Sequence, residues 1–322
     1  MSRKKRGQPI HGWLVLDKPA GLTSAQAVDR CKRALDAAKA GHGGTLDPMA
    51  TGVLPIAFGE ATKTMRFAMD GIKRYRFTVR WGESRDTDDA AGEVTGTNPH
   101  RPSREDIEAI LPRFTGTIEQ VPPAYSAIKL GGERAYDLAR AGETPDLAPR
   151  PVTIDALSLV DIPDADHASF EAVCGKGTYM RGLARDIALE LGSLGHVSAL
   201  RRLQVGPFSL EDAILLEDLP ALPDKAAAER FLLPTDKALD DIPAVVLNQE
   251  EAHRLRCGQT VSIFRRSDRE RLESLLALSD TSVSDSGGTD AEPVALATDG
   301  SRPVALVRVD GATLHPMRVL NL

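Results

Sequence analysis

Residues 73–81 constrain the fold more than any other stretch of the chain. Tyr75, Phe77, Val79 and Trp81 alternate there with Arg74, Arg76 and Arg80. Successive side chains of a strand point to opposite faces, so the pattern predicts a half-buried strand with one apolar and one cationic side. The acidic run Asp86-Thr87-Asp88-Asp89-Ala90-Ala91-Gly92 would close it as a polar turn. Upstream, residues 12–16 (Gly-Trp-Leu-Val-Leu) read as a short buried strand running into the turn Asp17-Lys18-Pro19-Ala20-Gly21. Ser24 is a fitting N-cap for a helix to about Lys39, with Val28, Cys31 and Leu35 as its apolar stripe and Gly41 past its end. The Gly-rich segment 41–59 is too punctuated to predict regular structure.

Further on, Ser103 followed by Asp106 resembles a capping box, and the helix it starts carries Ile107, Ile110, Leu111 and Phe114. A second strand, 170–174, meets the turn Gly175-Lys176-Gly177. A helix over about 178–191 follows, with Leu183, Ile187 and Leu191 on one face and Gly192 closing it. Strands and helices mix without a regular βαβ rhythm, which predicts an α+β domain. Past about residue 240 come short β-like runs at 244–247, 260–264, 294–297 and 304–309. Residues 279–293 are rich in Ser, Asp, Thr and Gly and read as a flexible loop. The expected organisation is one domain over 1–240 and a small β-rich domain over 241–322, with a flexible insertion around 265–293 and no internal repeat.

The 322 residues are 42% hydrophobic, which supports a buried core in an ordinary soluble protein. No run approaches the roughly 18 apolar residues of a transmembrane helix, so no membrane role is expected. The basic start, Met1-Ser2-Arg3-Lys4-Lys5-Arg6, lacks the apolar stretch of a secretory signal. Cys31, Cys174 and Cys257 are far apart and odd in number, matching neither zinc-ligand spacing nor a disulfide framework. A cytoplasmic protein without metal is the expectation. The net charge of −6 hides an asymmetry: residues 1–80 carry 15 Lys or Arg against 6 Asp or Glu. Such a basic N-terminal stretch suits a phosphate backbone, although a solvated basic face is the commoner explanation.

Within 41–59, Asp47 precedes a proline in a Gly-rich loop, and on local chemistry alone it is most often a turn residue. Context lowers that weighting. Gly41, Gly43, Gly44, Gly52 and Gly59 permit close backbone approach to a ligand, while His42, Thr45 and Thr51 place polar groups near the carboxylate. The Gly-Lys-Ser/Thr ending of a P-loop is missing. Bottom-up, the segment is a candidate site and no more.

The run Gly41-His42-Gly43-Gly44-Thr45-Leu46-Asp47-Pro48-Met49-Ala50-Thr51-Gly52-Val53-Leu54-Pro55, continuing to Gly59-Glu60-Ala61-Thr62-Lys63, resembles the active-site motif of the bacterial TruB-type tRNA pseudouridine synthases. Further similar segments follow in the family's order: Leu16-Asp17-Lys18-Pro19, Lys73-Arg74-Tyr75, Gln120-Val121-Pro122-Pro123-Ala124-Tyr125-Ser126-Ala127, Gly175-Lys176-Gly177-Thr178-Tyr179-Met180-Arg181 and Leu200-Arg201-Arg202-Leu203. The resemblance covers residues 12 to about 210 and thins in the last 80.

It implies a mixed, mainly antiparallel sheet flanked by helices, and a small C-terminal RNA-binding domain of the PUA kind on the acceptor-stem side of tRNA. The implied activity is isomerisation of the uridine at position 55 in the T arm of tRNA, by a monomer needing no guide RNA, cofactor, metal or protein partner. Asp47 matches the catalytic aspartate. It would either attack ribose C1′, as carboxylates do in retaining glycosidases, or remove the 2′ proton. A carboxylate in a water-poor site needs a cation beside it, and Arg181 matches the family's arginine partner. Its helix neighbour at the next turn is Arg185, which repels rather than pairs, so an external acid is expected. Tyr75 matches the tyrosine that stacks on the target base, although its pattern alone makes it a core aromatic. Tyr179 and Leu200 match pocket residues, one able to donate a hydrogen bond and the other only packing. His42 matches a histidine that contacts the RNA; with no second His or Cys at ligand spacing it is not expected to bind metal. Lys18 matches a lysine supporting the active-site loop. Two rival readings are a guide-RNA-dependent pseudouridine synthase and an RNA-folding module without chemistry; a degenerate module would be expected to have lost Asp47 or Arg181.

Overall fold

The computed structural model describes residues 7–126, 128–143, 145–219, 230–263, 293–300 and 302–322. The chain begins with β1 (Gly12–Lys18), α1 (Ser24–Ala34), β2 (Ala40–His42), β3 (Thr51–Phe58), α2 (Met65–Asp70), β4 (Lys73–Trp81), β5 (Glu83–Arg85) and β6 (Val94–Thr97). It continues through α3 (Arg104–Ile110), β7 (Gly116–Gln120), β8 (Lys129–Leu130), β9 (Glu133–Arg134), α4 (Ala135–Arg140), β10 (Arg150–Asp164) and β11 (His167–Cys174). Then come α5 (Met180–Glu190), β12 (Gly195–Val205), β13 (Phe208–Ser209) and β14 (Ala213–Leu215). One large sheet runs in the order β14-β1-β3-β12-β4-β11-β10-β7, with β2 joined to β3 and β13 to β12. Its pairs are antiparallel except β1 with β14 and β3 with β12. The fold is therefore α+β with a mixed, mainly antiparallel sheet.

Burial explains which strands alternate in sequence and which do not. On β4, Phe77, Val79 and Trp81 are buried while Arg74 and Arg76 are exposed. Phe77 stacks on Phe170 of β11 at 5.3 Å between ring centroids. That face packs into the main core with Val28 and Cys31 of α1, Ile107 of α3 and Leu183 and Ile187 of α5. By contrast, β1 and β3 are covered on both sides. Leu14, Leu16, Leu54 and Ile56 face the main core, while Trp13, Val15, Val53 and Ala57 face a second cluster with Val205 and Phe208.

Several local expectations are corrected. Segment 41–59 holds the end of β2 and all of β3, whose residues Val53 to Phe58 are all buried. Gly52 hides the strand in the sequence. It adopts φ +100°, and a Cβ there would lie 2.1 Å from the carbonyl oxygen of Arg202. This glycine thus serves the approach of β12 to β3, not the approach of a ligand. Helix α1 is capped by Thr23 in a box with Gln26, and it stops at Ala34, five residues before the expected Lys39. Just beyond, Asp36 takes φ +45°, turning the chain out of the helix. The acidic run 86–92 joins the paired strands β5 and β6 instead of ending β4 directly. The capping box of Ser103 and Asp106 is present as expected.

The C-terminal residues form a second sheet, ordered β15-β17-β18-β19-β16, from β15 (Ala244–Val246), β16 (Val261–Ser262), β17 (Val294–Thr298), β18 (Pro303–Asp310) and β19 (Thr313–Val319). Helix α6 (Gln249–Arg256) packs Ala252 and Leu255 against Val304, Val307 and Leu314 of this sheet. Contacts tie the two parts together. The Lys63 ammonium donates to the Val319 carbonyl at 2.7 Å, and the Asn321 N–H donates to the Glu60 carboxylate at 2.7 Å. The insertion expected around 265–293 lies, apart from Pro293, outside the described residues. No described helix is long and apolar enough to cross a membrane.

Candidate active site

Helix α5 delivers Arg181 in its first turn. No side chain caps this helix at Tyr179. Gln120, buried at the end of β7, takes over: it accepts from the Tyr179 N–H at 2.8 Å and donates to the Tyr179 carbonyl at 3.1 Å. The Arg181 guanidinium, 4% exposed, then reaches across to Asp47. Nε donates to Oδ2 at 2.8 Å and Nη2 to Oδ1 at 3.1 Å, a bidentate pair that fixes the carboxylate plane. The remaining donors go to the carbonyls of Thr87 and Tyr125, each at 2.9 Å. A second acid, Asp89, lies 3.7 Å from Nε and is itself held by the Thr87 hydroxyl and the Ala91 N–H. Arg185, one turn on, pairs with Asp88 at 2.9 Å and Asp186 at 2.9 Å, so the two helix cations serve different acids.

The loop carrying Asp47 is pinned on both sides. Before it, Leu46 exchanges two hydrogen bonds with the Ser24 hydroxyl of α1. After it, the Pro48 carbonyl accepts from the Gly21 N–H at 2.8 Å and from Lys18 Nζ at 3.2 Å. Lys18 is fully buried and also donates to the carbonyls of Pro19 and Leu22. Burial pulls its ammonium down to about 8, with Asp47 opposing that fall and Arg202 adding to it. Arg202, 1% exposed, bonds the carbonyls of Gly44, Thr45 and Val53, clamping the start of the loop to β3.

Between these elements opens a cleft of about 370 Å³. Of the residues anticipated from sequence, Asp47, Tyr75, Tyr179, Arg181 and Leu200 line it together. Burial pushes the Tyr75 phenol up, with the neighbouring Arg202 opposing. It does the same to Tyr179, there opposed chiefly by Ser126. Lys18 and His42 are not on the cleft wall; Lys18 lies under the loop and His42 on β2, paired with Ile56 of β3. Burial and the nearby Arg202 hold the His42 imidazole below its ordinary value, with the Gly44 backbone opposing. Among the described residues, no group of three or more His, Cys, Asp or Glu is arranged to hold a metal ion.

Arg202, Gln120 and the 87–89 segment were not singled out from sequence as site residues. One signal was available: adjacent Arg201 and Arg202 on a strand must face opposite ways, so one of them has to enter the protein and find acceptors. Arg201 faces the other way and makes a bidentate pair with Asp17, at 3.0 and 2.6 Å.

Comparison with known proteins identifies the family. Residues 32–180 match the family model described as TruB family pseudouridylate synthase (N terminal domain), and residues 181–240 match the tRNA pseudouridylate synthase B C-terminal domain. The chain is 53% identical over 319 residues to tRNA pseudouridine synthase B of Gluconacetobacter diazotrophicus, spanning 99% of this chain and 100% of that protein. It belongs to the TruB family of pseudouridylate synthases. As such it is an isomerase that turns uridine into pseudouridine. A second TruB-family relative, tRNA pseudouridine synthase B of Rhodospirillum rubrum, is 51% identical over 322 residues, with full coverage of both chains. Among solved structures, a chain of a Cbf5-Nop10-Gar1 complex superposes with a TM-score of 0.70 at 23% identity, covering 97% of this chain and 85% of that one. That likeness concerns the fold.

Proposed function

We propose that this TruB-family enzyme converts the uridine at position 55 in the T arm of tRNA to pseudouridine, without a guide RNA, using Asp47 as its catalytic carboxylate. The observation that carries the reading is the bidentate Arg181–Asp47 pair, with Arg181 4% and Asp47 30% exposed. The guanidinium is sealed inside while the carboxylate keeps an edge on the cleft. Uracil must leave C1′, turn, and rejoin through C5. Asp47 can serve this by attacking C1′ or by removing the 2′ proton, and both routes use an oriented, ionised carboxylate.

The target base is reached only when extruded from the RNA, and an extruded base needs a platform. Tyr75 supplies it, with base stacking contributing about 1–3 kcal/mol. Leu200 packs on the same site, and the Tyr179 hydroxyl offers a hydrogen bond to the base. His42, outside the cleft and held toward its neutral form, contacts the RNA arm from which the base is drawn. Lys18 is the positioning residue of the Asp47 loop. Residues 1–240 act as the catalytic domain. Residues 241–322 act as a PUA-like domain on the acceptor side of the tRNA. The enzyme works as a cytoplasmic monomer with no obligatory protein partner. RNA is recognised by shape and extruded bases more than by groove readout.

The test is to incubate the purified protein with unmodified tRNA transcript, no guide RNA and a chelator, and to map pseudouridine by position. Product confined to position 55 supports the reading. Product elsewhere, or only after addition of a guide RNA, contradicts it.

A further inference from the structure

Lys73 is left unexplained by the chemistry above. It opens β4, lies on the strand face shared with Tyr75, and lines the same cleft. Yet it is 7% exposed, an unusual degree of burial for an ammonium. Its hydrogen bond among the described residues goes to the Met69 carbonyl in the last turn of α2. No carboxylate lies within ion-pairing distance of it among the described residues; its neighbour Asp70 is instead paired with Lys176 on the cleft rim, at 3.2 Å. A buried ammonium has three donors and is costly to leave unpaired. It lines a cleft whose other cations are committed elsewhere: Arg181 to Asp47, Arg202 to three carbonyls and Lys176 to Asp70.

We propose that Lys73 is the docking cation for a phosphate of the RNA strand flanking the uridine stacked on Tyr75, an inference that rests on the reading of the cleft given above. Two residues along one strand face separate the side chains by about 6.6 Å. That distance is comparable with the span from a nucleobase to a phosphate of its own nucleotide. The phosphate completes the ammonium's hydrogen bonds and sets how far the everted nucleotide slides along the cleft.

The charge state of the site fits this role. Burial brings Lys73 down to about 8 in the free enzyme; Cys174 and Asp70 oppose that fall, while Arg202 and Lys176 add to it. Of these, Cys174, its cross-strand partner on β11, is pushed up to about 11 by burial. A bound phosphate favours the charged lysine, so affinity falls as pH rises through the free-enzyme value.

The experiment titrates wild-type protein and the Lys73→Met variant with unmodified tRNA transcript between pH 7 and pH 9 and across a salt series. Lys18 titrates in the same range but is common to both proteins, so their difference isolates Lys73. Lys73→Met should bind about tenfold more weakly at pH 7, with the loss falling on Kd and KM more than on kcat. Its salt slope should be shallower by about 0.7, and the roughly fivefold fall in wild-type affinity between pH 7 and pH 9 should be absent from it. Equal affinities and slopes overturn the inference. So does a matched loss of kcat and thermal stability with an unchanged slope, which would make Lys73 only a cap on α2. A second measurement needs no variant: wild-type protein is given RNA with a neutral methylphosphonate at one or the other phosphate flanking the target. One of the two should reduce the pH dependence to that of Lys73→Met, and retention of the full dependence with both overturns the inference. If wild-type protein binds no tRNA at all, the reading of the cleft falls with it.

Discussion

Replacing Arg181 by Met removes a guanidinium with four hydrogen bonds while keeping most of its stem. Two bonds to Asp47 disappear, and the carbonyls of Thr87 and Tyr125 lose a donor. Asp89, 6% exposed, loses the cation that lies 3.7 Å away. Breaking a buried pair in this one-sided way costs about 3–5 kcal/mol. Asp47 is 30% exposed and regains water from the cleft, which places the cost near about 3 kcal/mol. For a chain of this size that lowers Tm by about 4–5 °C. The effect on turnover is larger, because the carboxylate loses its fixed plane: kcat should fall by about 10³. Arg181→Lys keeps the charge but not the fork, so it should recover part of the stability and little of the rate. Thermal unfolding and single-turnover pseudouridine formation on unmodified tRNA measure the two effects separately. A variant that melts early yet retains kcat within tenfold of wild type would refute the claim that Arg181 orients the catalytic group.

Gln120→Leu should leave the Tyr179 N–H without its acceptor at the start of α5, costing about 1–3 kcal/mol by urea titration; a change under 0.5 kcal/mol would deny it that positioning role. Gly52→Ala combines φ +100° with a Cβ 2.1 Å from the Arg202 carbonyl, so a loss of at least about 3 kcal/mol or failure to fold is expected. For Lys18 the sign follows from its folded value, about 8, lying below the ordinary 10.5. Folding disfavours its charged form, so charge costs stability below pH 8 and that cost is relieved as pH rises toward 10.5. Wild type should therefore gain on Lys18→Met by up to about 1.4 kcal/mol per pH unit in that window, read from paired urea midpoints; parallel curves would contradict the burial argument.

The α+β class and the strand 73–81 were legible because one face of β4 is solvated, so alternation survives in the sequence. Strand β3 was not. Both its faces are buried, which erases the alternation, and Gly52 and Pro55 imitate a loop. Strand β10 stayed hidden for a different reason, since its register shifts against β11 break any regular period. In the site, Asp47 and Arg181 stand 134 residues apart, and local chemistry alone weighted the aspartate toward a turn. What joined them in the sequence was the order of family-like segments. Arg202, Gln120 and Lys18 hold the site through main-chain atoms. The family-like segments pointed to Lys18, and the Arg201-Arg202 pair pointed to one buried arginine, but the main-chain acceptors of all three became visible only in three dimensions. The 87–89 segment read as a polar turn, and it is one; its carbonyl and carboxylate happen to face Arg181.

The account turns on the Asp47 carboxylate, and Asp47→Asn tests it with the least disturbance because the side chain keeps its shape. Pseudouridine formation and tRNA affinity would be measured on the same preparation. The expected result is no product above background with tRNA binding within a few-fold of wild type. Persistent turnover, or a loss of binding as deep as the loss of product, would contradict Asp47 as the catalytic group.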